Sequence, residues 1–142
     1  MAKLMNAKEY EESLRKLKLN VYMFGRKVEN VVDDPIIRPS MNAVAATYEF
    51  AHRPEYEDIL TAKSHLTGNR INRFTHIHQS RDDLVKKSKM GRLMGSLTAC
   101  CFQRCVGMDA MNALSITTHA IDAKYGTPYY GRFLKFLEYV QE

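Results

Sequence analysis

No apolar run in this chain approaches the ~18 residues that a membrane-spanning helix requires. The opening Met1-Ala2-Lys3-Leu4-Met5-Asn6 is followed by polar sequence and lacks the apolar core of a secretory signal. Cysteine is scarce and crowded together: Cys100, Cys101 and Cys105 are the only three. A disulfide framework would spread its cysteines along the chain, so a reduced, cytoplasmic setting is expected. A glycine-rich phosphate loop, a nucleophile elbow and a zincin helix are all missing, which excludes the chemistries they serve. Internal repeats, low-complexity tracts and linkers are missing too. One domain over residues 1–142 is therefore expected, long enough to bury a core without staples.

What is present reads as globular. Hydrophobic residues make up 45% and charged residues 26%, which excludes a disordered tail. The formal net charge is +5, and the densest cationic run is Lys86, Lys87, Lys89 and Arg92. Such a run could meet phosphates, but the ordinary reading is a solvated helix face.

The local signals are mostly helical. Asn6 with Glu9 predicts a capping box opening a helix to about Leu17. Val21 to Phe24 is β-prone, Gly25 turns the chain, and a return strand to Val32 predicts a short hairpin within 21–32. Pro35 and Pro39 bracket a loop, and Ser40 is expected to cap a helix burying Met41, Val44, Ala45 and Tyr48. Pro54 suggests a short helical turn, and Arg70 to Ile77 reads as extended or irregular.

Ser80 with Asp83 opens the longest helical region, where Gly91 and Gly95 are expected to weaken or bend the helix. Between Leu93 and Ile121 the only formal charges are Arg104 and Asp109, which predicts a helix in the middle of a bundle. Gly126 ends it, and a last helix should bury Phe133, Phe136, Leu137 and Val140. The fold class is mainly α.

The chemistry-bearing residues are few. On a helix, Cys101 and Cys105 share a face with Cβ atoms about 5–6 Å apart, a spacing two soft-metal ligands can use. The spacing by itself is a weak motif, and packing as small hydrophobes is the ordinary reading of such a pair. Cys100 lies about 100° round the helix from Cys101 and is poorly aimed at the same ion. His76 and His78 alternate as on a strand but read as a loop or surface feature, and the methionines and tyrosines read first as core.

One stretch says more. Thr98-Ala99-Cys100-Cys101-Phe102-Gln103-Arg104-Cys105-Val106-Gly107-Met108-Asp109-Ala110 resembles the 4-hydroxybutyryl-CoA dehydratase family. So do Glu12 to Leu17, Val21 to Gly25, Pro35 to Ser40, Ile71 to Phe74 and His78 to Ser80, in order along essentially the whole chain.

The resemblance implies an acyl-CoA-dehydrogenase-like architecture, of which residues 1–142 would be the N-terminal helical domain. The family's flavin-binding β domain and C-terminal helical domain would lie outside the chain. It implies dehydration of 4-hydroxybutyryl-CoA to crotonyl-CoA and isomerisation of vinylacetyl-CoA. The family's chemistry uses flavin adenine dinucleotide (FAD) and a [4Fe–4S] cluster in a homotetramer, with transient one-electron oxidation giving a ketyl-type radical. Cys101 and Cys105 match its two N-terminal cluster ligands, the other two being a histidine and a cysteine of the central region. Gln103 matches a glutamine near the active site, and Arg92 a basic position facing coenzyme or a neighbouring subunit. Cys100 stands where a small polar residue is expected. The isolated chain is expected to be inactive and to hold neither cofactor stably.

The 4-hydroxyphenylacetate 3-hydroxylases, flavin-dependent aromatic-ring monooxygenases, open similarly but need no cluster. A non-catalytic helical module binding nucleic acid or protein through a basic face is the alternative from another class. The cysteine pair in its Phe-Gln-Arg setting favours the dehydratase, with no nucleic-acid or membrane partner.

Overall fold

The computed structural model describes residues 4–99 and 104–142. Its architecture is mainly α, as the sequence predicts. In chain order come α1 (Ala7–Arg15), the hairpin β1 (Val21–Met23) and β2 (Arg26–Val28), α2 (Arg38–Glu49) and the short α3 (Glu57–Leu60). A second hairpin follows, β3 (Thr61–Lys63) with β4 (Arg70–Asn72), then α4 (Arg81–Thr98), α5 (Arg104–Tyr125) and α6 (Tyr129–Gln141). Both hairpins are antiparallel, registered as Tyr22 opposite Lys27 and Ala62 opposite Ile71. Pro54–Tyr56 is a short 3₁₀ turn, as Pro54 suggests, and Arg73–Thr75 forms another after β4.

The two capping boxes are real. Asn6 Oδ1 accepts from Glu9 N at 2.9 Å while Glu9 Oε2 accepts from Asn6 N at 3.0 Å. At the start of α4, Ser80 and Asp83 exchange the equivalent pair of bonds. Each box satisfies backbone donors that a helix start would otherwise leave open.

Elsewhere packing revises the local reading. Ser40 does not cap α2, which starts two residues earlier with Pro39 in its first turn. Proline's fixed φ suits that place, and its missing N–H is no loss there. The strand after Gly25 stops at Val28 rather than Val32, because Asn30 Oδ1 takes the Val32 N–H at 2.8 Å and turns the chain. Gly91 and Gly95 do not break α4. Met90 and Met94, both fully buried, fasten that helix to the core, and tertiary packing outweighs a propensity deficit of about 1 kcal/mol per glycine.

The core has two parts. Ala51, Leu60, Phe74, Met90, Met94 and Met108 form the larger cluster; Ile77, Phe133 and Leu137 form the smaller, with Met111 and Val140 packed against it. Phe136, expected in the α6 stripe, is 52% exposed because it sits about 100° round the helix from Leu137. The larger correction concerns α5, which is not the middle of the bundle. Met108 is its one buried residue among those described, while Val106 is 63% and Ile116 74% exposed. This chain covers only one stripe of α5, along α6 and the Arg73–Thr75 turn.

Arg73 is buried, yet every side of its guanidinium is occupied. Nε donates to Ile59 O at 2.8 Å, Nη2 to Asp58 O at 3.0 Å and Thr61 O at 2.6 Å, and Nη1 to Asp83 Oδ1 at 3.4 Å. Asp83 therefore caps α4 and balances a buried charge together. Burial works against its ionised form, but the Gln79 N–H, Ser80 and His76 outweigh that and lower its pKa to about 2.

A carboxylate with a depressed folded pKa stabilises above its unfolded value, roughly 3.9, and loses that contribution as pH falls toward 2. Asp83→Asn should lower the melting temperature at pH 6 and make its decline between pH 4 and 2 less steep. Parallel slopes for the two proteins would contradict this linkage.

Candidate active site

The site is built around the start of α5. Arg104 and Cys105 are the first two described residues of α5. The Cys105 thiol is half-buried and free, neither sealed in the core nor fully in solvent. The Arg104 guanidinium lies between two aromatic faces, its Cζ 4.4 Å from the Tyr48 ring centroid and 4.7 Å from that of Phe74. It also donates to the hydroxyl of Thr47, a fully buried residue one position before Tyr48 on α2. Tyr10 of α1 stacks on the other side of the cluster, 4.5 Å from Tyr48 centroid to centroid.

Of these groups Arg104 and Tyr48 line a cleft of about 520 Å³, together with Asn72, Thr75, Met111 and Gln141. Its rim is tied down: Gln141 donates to Thr75 O at 2.7 Å and accepts from Ser64 Oγ at 2.6 Å, and Asn72 donates to Thr47 O at 3.0 Å. Glu142 also lines the cleft, but Arg104 makes no ion pair among the described residues. Burial depresses the Arg104 pKa, and Tyr48 and Tyr10 counter this only in part. Two π-faces and one hydroxyl hold the guanidinium in place without neutralising it, so the wall offers fixed positive charge to an anionic oxygen.

Of the residues singled out in the sequence, Cys105 and Arg92 are placed on different helices. Cys101 and Gln103, and with them Cys100, lie outside the described residues. Arg92 is exposed on α4 and makes no ion pair or hydrogen bond among the described residues.

Arg104, Tyr48 and Thr47 were not identifiable as site residues from spacing. The available signal was Arg104 itself, one of two formal charges in a long apolar stretch. His76 sits in a loop, as it reads in the sequence, but it is buried rather than on the surface. Burial lowers its pKa, while Asp83, 3.1 Å from Nε2, acts the other way.

Residues 6–142 match the family described as 4-hydroxyphenylacetate 3-hydroxylase N terminal. The chain belongs to that family. It is 61% identical over 139 residues to the 4-hydroxybutyryl-CoA dehydratase/vinylacetyl-CoA-Δ-isomerase of Clostridium aminobutyricum, covering 98% of this chain and 28% of that protein. The structure of an oxygen-tolerant archaeal 4-hydroxybutyryl-CoA dehydratase from N. maritimus superposes with a TM-score of 0.93 at 52% identity, covering 98% of this chain and 27% of that one.

The oxygenase component of a 4-hydroxyphenylacetate 3-monooxygenase, solved with FAD and 4-hydroxyphenylacetate, is more distant. Its TM-score is 0.57 at 27% identity, covering 66% of this chain and 19% of that one. The chain thus spans less than a third of the length of these relatives. Within the family it stands with the dehydratases, and the helices and hairpins described above are those of their N-terminal region. No helix among the described residues is long and apolar enough to cross a membrane.

A desolvated guanidinium without a carboxylate is kept at the expense of stability. Arg104→Met should therefore leave the chain equally or more stable in urea unfolding. A clear loss of stability would instead make Arg104 a structural residue.

Proposed function

We propose that this chain is the N-terminal helical domain of an enzyme that dehydrates 4-hydroxybutyryl-CoA to crotonyl-CoA and isomerises vinylacetyl-CoA. The observation that carries the reading is 61% identity over 98% of the chain to a protein of that activity, with the Cys-Phe-Gln-Arg-Cys block intact at 101–105. The monooxygenase alternative is weaker: the 4-nitrophenol 2-monooxygenase oxygenase component of Rhodococcus sp is 40% identical over only 57% of the chain.

Cys101 and Cys105 would hold one side of a [4Fe–4S] cluster, completed by a histidine and a cysteine elsewhere in the enzyme. FAD would be bound mainly by the other domains, within a homotetramer. When bound, these groups supply the one-electron chemistry that makes an unactivated β-proton removable. The part of this chain is positional. Arg104 holds a fixed positive charge on the cleft wall, and Tyr48, Phe74 and Tyr10 keep bulk water from it. Gln103 would act near the reacting groups and Arg92 toward coenzyme or a neighbouring subunit.

The test uses the complete enzyme. Cys101→Ala and Cys105→Ala should each lower iron and acid-labile sulfide per flavin severalfold and remove crotonyl-CoA formation, while Cys100→Ala keeps both. Unchanged iron content in Cys101→Ala would leave the cluster assignment without support. The 142-residue chain alone should form no crotonyl-CoA.

A further inference from the structure

The cationic run most visible in the sequence is partly neutralised in the fold, where Lys86 pairs with Asp58 and Lys87 with Asp109. A second cationic stretch is not. From Lys16 to Lys27 the chain carries Lys16, Lys18, Arg26 and Lys27 and no acidic residue. Asp34 holds Arg26 at 2.7 Å, but Lys16, Lys18 and Lys27 are exposed and make no ion pair among the described residues.

The same stretch exposes two rings, Tyr22 at 72% and Phe24 at 83%. Tyr22 lies directly across the ribbon from Lys27, close enough for the two side chains to act on one ligand. Phe24 and Gly25 form the two-residue turn with φ of 51° and 76°. That geometry favours Asn-Gly, and a phenylalanine is strained in it. Burial does not compensate the strain, because the ring projects into solvent. Its use lies outside the packing of this chain.

We infer that this hairpin docks the nucleotide end of a coenzyme A thioester, the adenine stacking on Tyr22 and Phe24 and the phosphates meeting Lys16, Lys18 and Lys27. The inference rests on the activity proposed above. Aromatic faces stack on any base, and lysine ammoniums serve phosphates as point charges. Coenzyme A joins a flat ring and several phosphates in one molecule, which matches the pairing of rings and unpaired cations here.

The cationic stretch begins one short helix away from the cleft: Lys16 follows Tyr10 by six residues, about 9 Å of helix, and Tyr10 stacks on Tyr48 of the cleft lining.

Calorimetric titration of coenzyme A into the 142-residue chain at low salt tests this. Phe24→Asn should weaken binding about tenfold or more while preserving or raising the melting temperature, since asparagine suits the turn. Lys18→Glu with Lys27→Glu should abolish binding. Adenosine 3′,5′-bisphosphate should compete, and pantetheine should not.

Affinity untouched by both variants, or no binding of either nucleotide, would overturn the inference. So would a Phe24→Asn protein that changes only its oligomeric state, since the hairpin would then be a protein contact. None of these outcomes bears on the activity itself, which is judged by crotonyl-CoA formation in the complete enzyme.

Discussion

The Arg73 guanidinium is the tie on which much of this fold depends. It sits almost wholly out of water and is satisfied by the carbonyls of Asp58, Ile59 and Thr61 and the carboxylate of Asp83. Those four residues belong to α3, the start of β3 and the first turn of α4, so one planar group sets the angle at which three elements meet. A lysine could not replace it, because an ammonium lacks the rigid fork that reaches acceptors on several sides. Phe74, next in sequence, goes into the larger core cluster, and Ile77 into the smaller. The segment from Arg73 to Ile77 is thereby fixed at both ends and carries β4 and the cleft residues Asn72 and Thr75 with it.

Arg104 is the counterpart that is not satisfied. Both guanidiniums are desolvated, but Arg104 has two rings and one hydroxyl in place of carbonyls and a carboxylate. Desolvating a cation without neutralising it is unfavourable unless something else supplies the opposite charge. The residue beside it, Cys105, is likewise placed without a partner among the described residues. The exposed stripes of α5 and the strained, projecting Phe24 fit the same pattern. None of them is explained by packing among the described residues.

Local chemistry was legible where it is self-contained. The capping boxes at Asn6 and Ser80, the turn at Gly25 and the helical turn at Pro54 each follow from a few neighbouring residues, and they stand in the structure. Readings failed where the outcome depends on distant packing. Glycines in α4 were outweighed by Met90 and Met94; Phe136 lost its place in the α6 stripe to the geometry of Leu137; α5 reads as a central helix and is mostly uncovered. The candidate site was half legible: Cys105 stands in the motif that carries the resemblance, whereas Arg104 was recorded only as a charge in an apolar stretch.

By itself, the sequence determined the mainly helical class, the two capping-box helix starts and the family, because these depend on short-range backbone chemistry or on residue identity in order. Only the tertiary structure decided which cations are neutralised. Lys87 finds its carboxylate in Asp109, 22 positions away, and Lys86 in Asp58, 28 positions away, besides Asp82 one helical turn back; the carboxylate beside Arg73 is Asp83, 10 positions on. Arg104 meets Thr47 across 57 positions and acquires no carboxylate among the described residues. Charge pairing at such separations is set by how the chain closes on itself, and no local pattern encodes it.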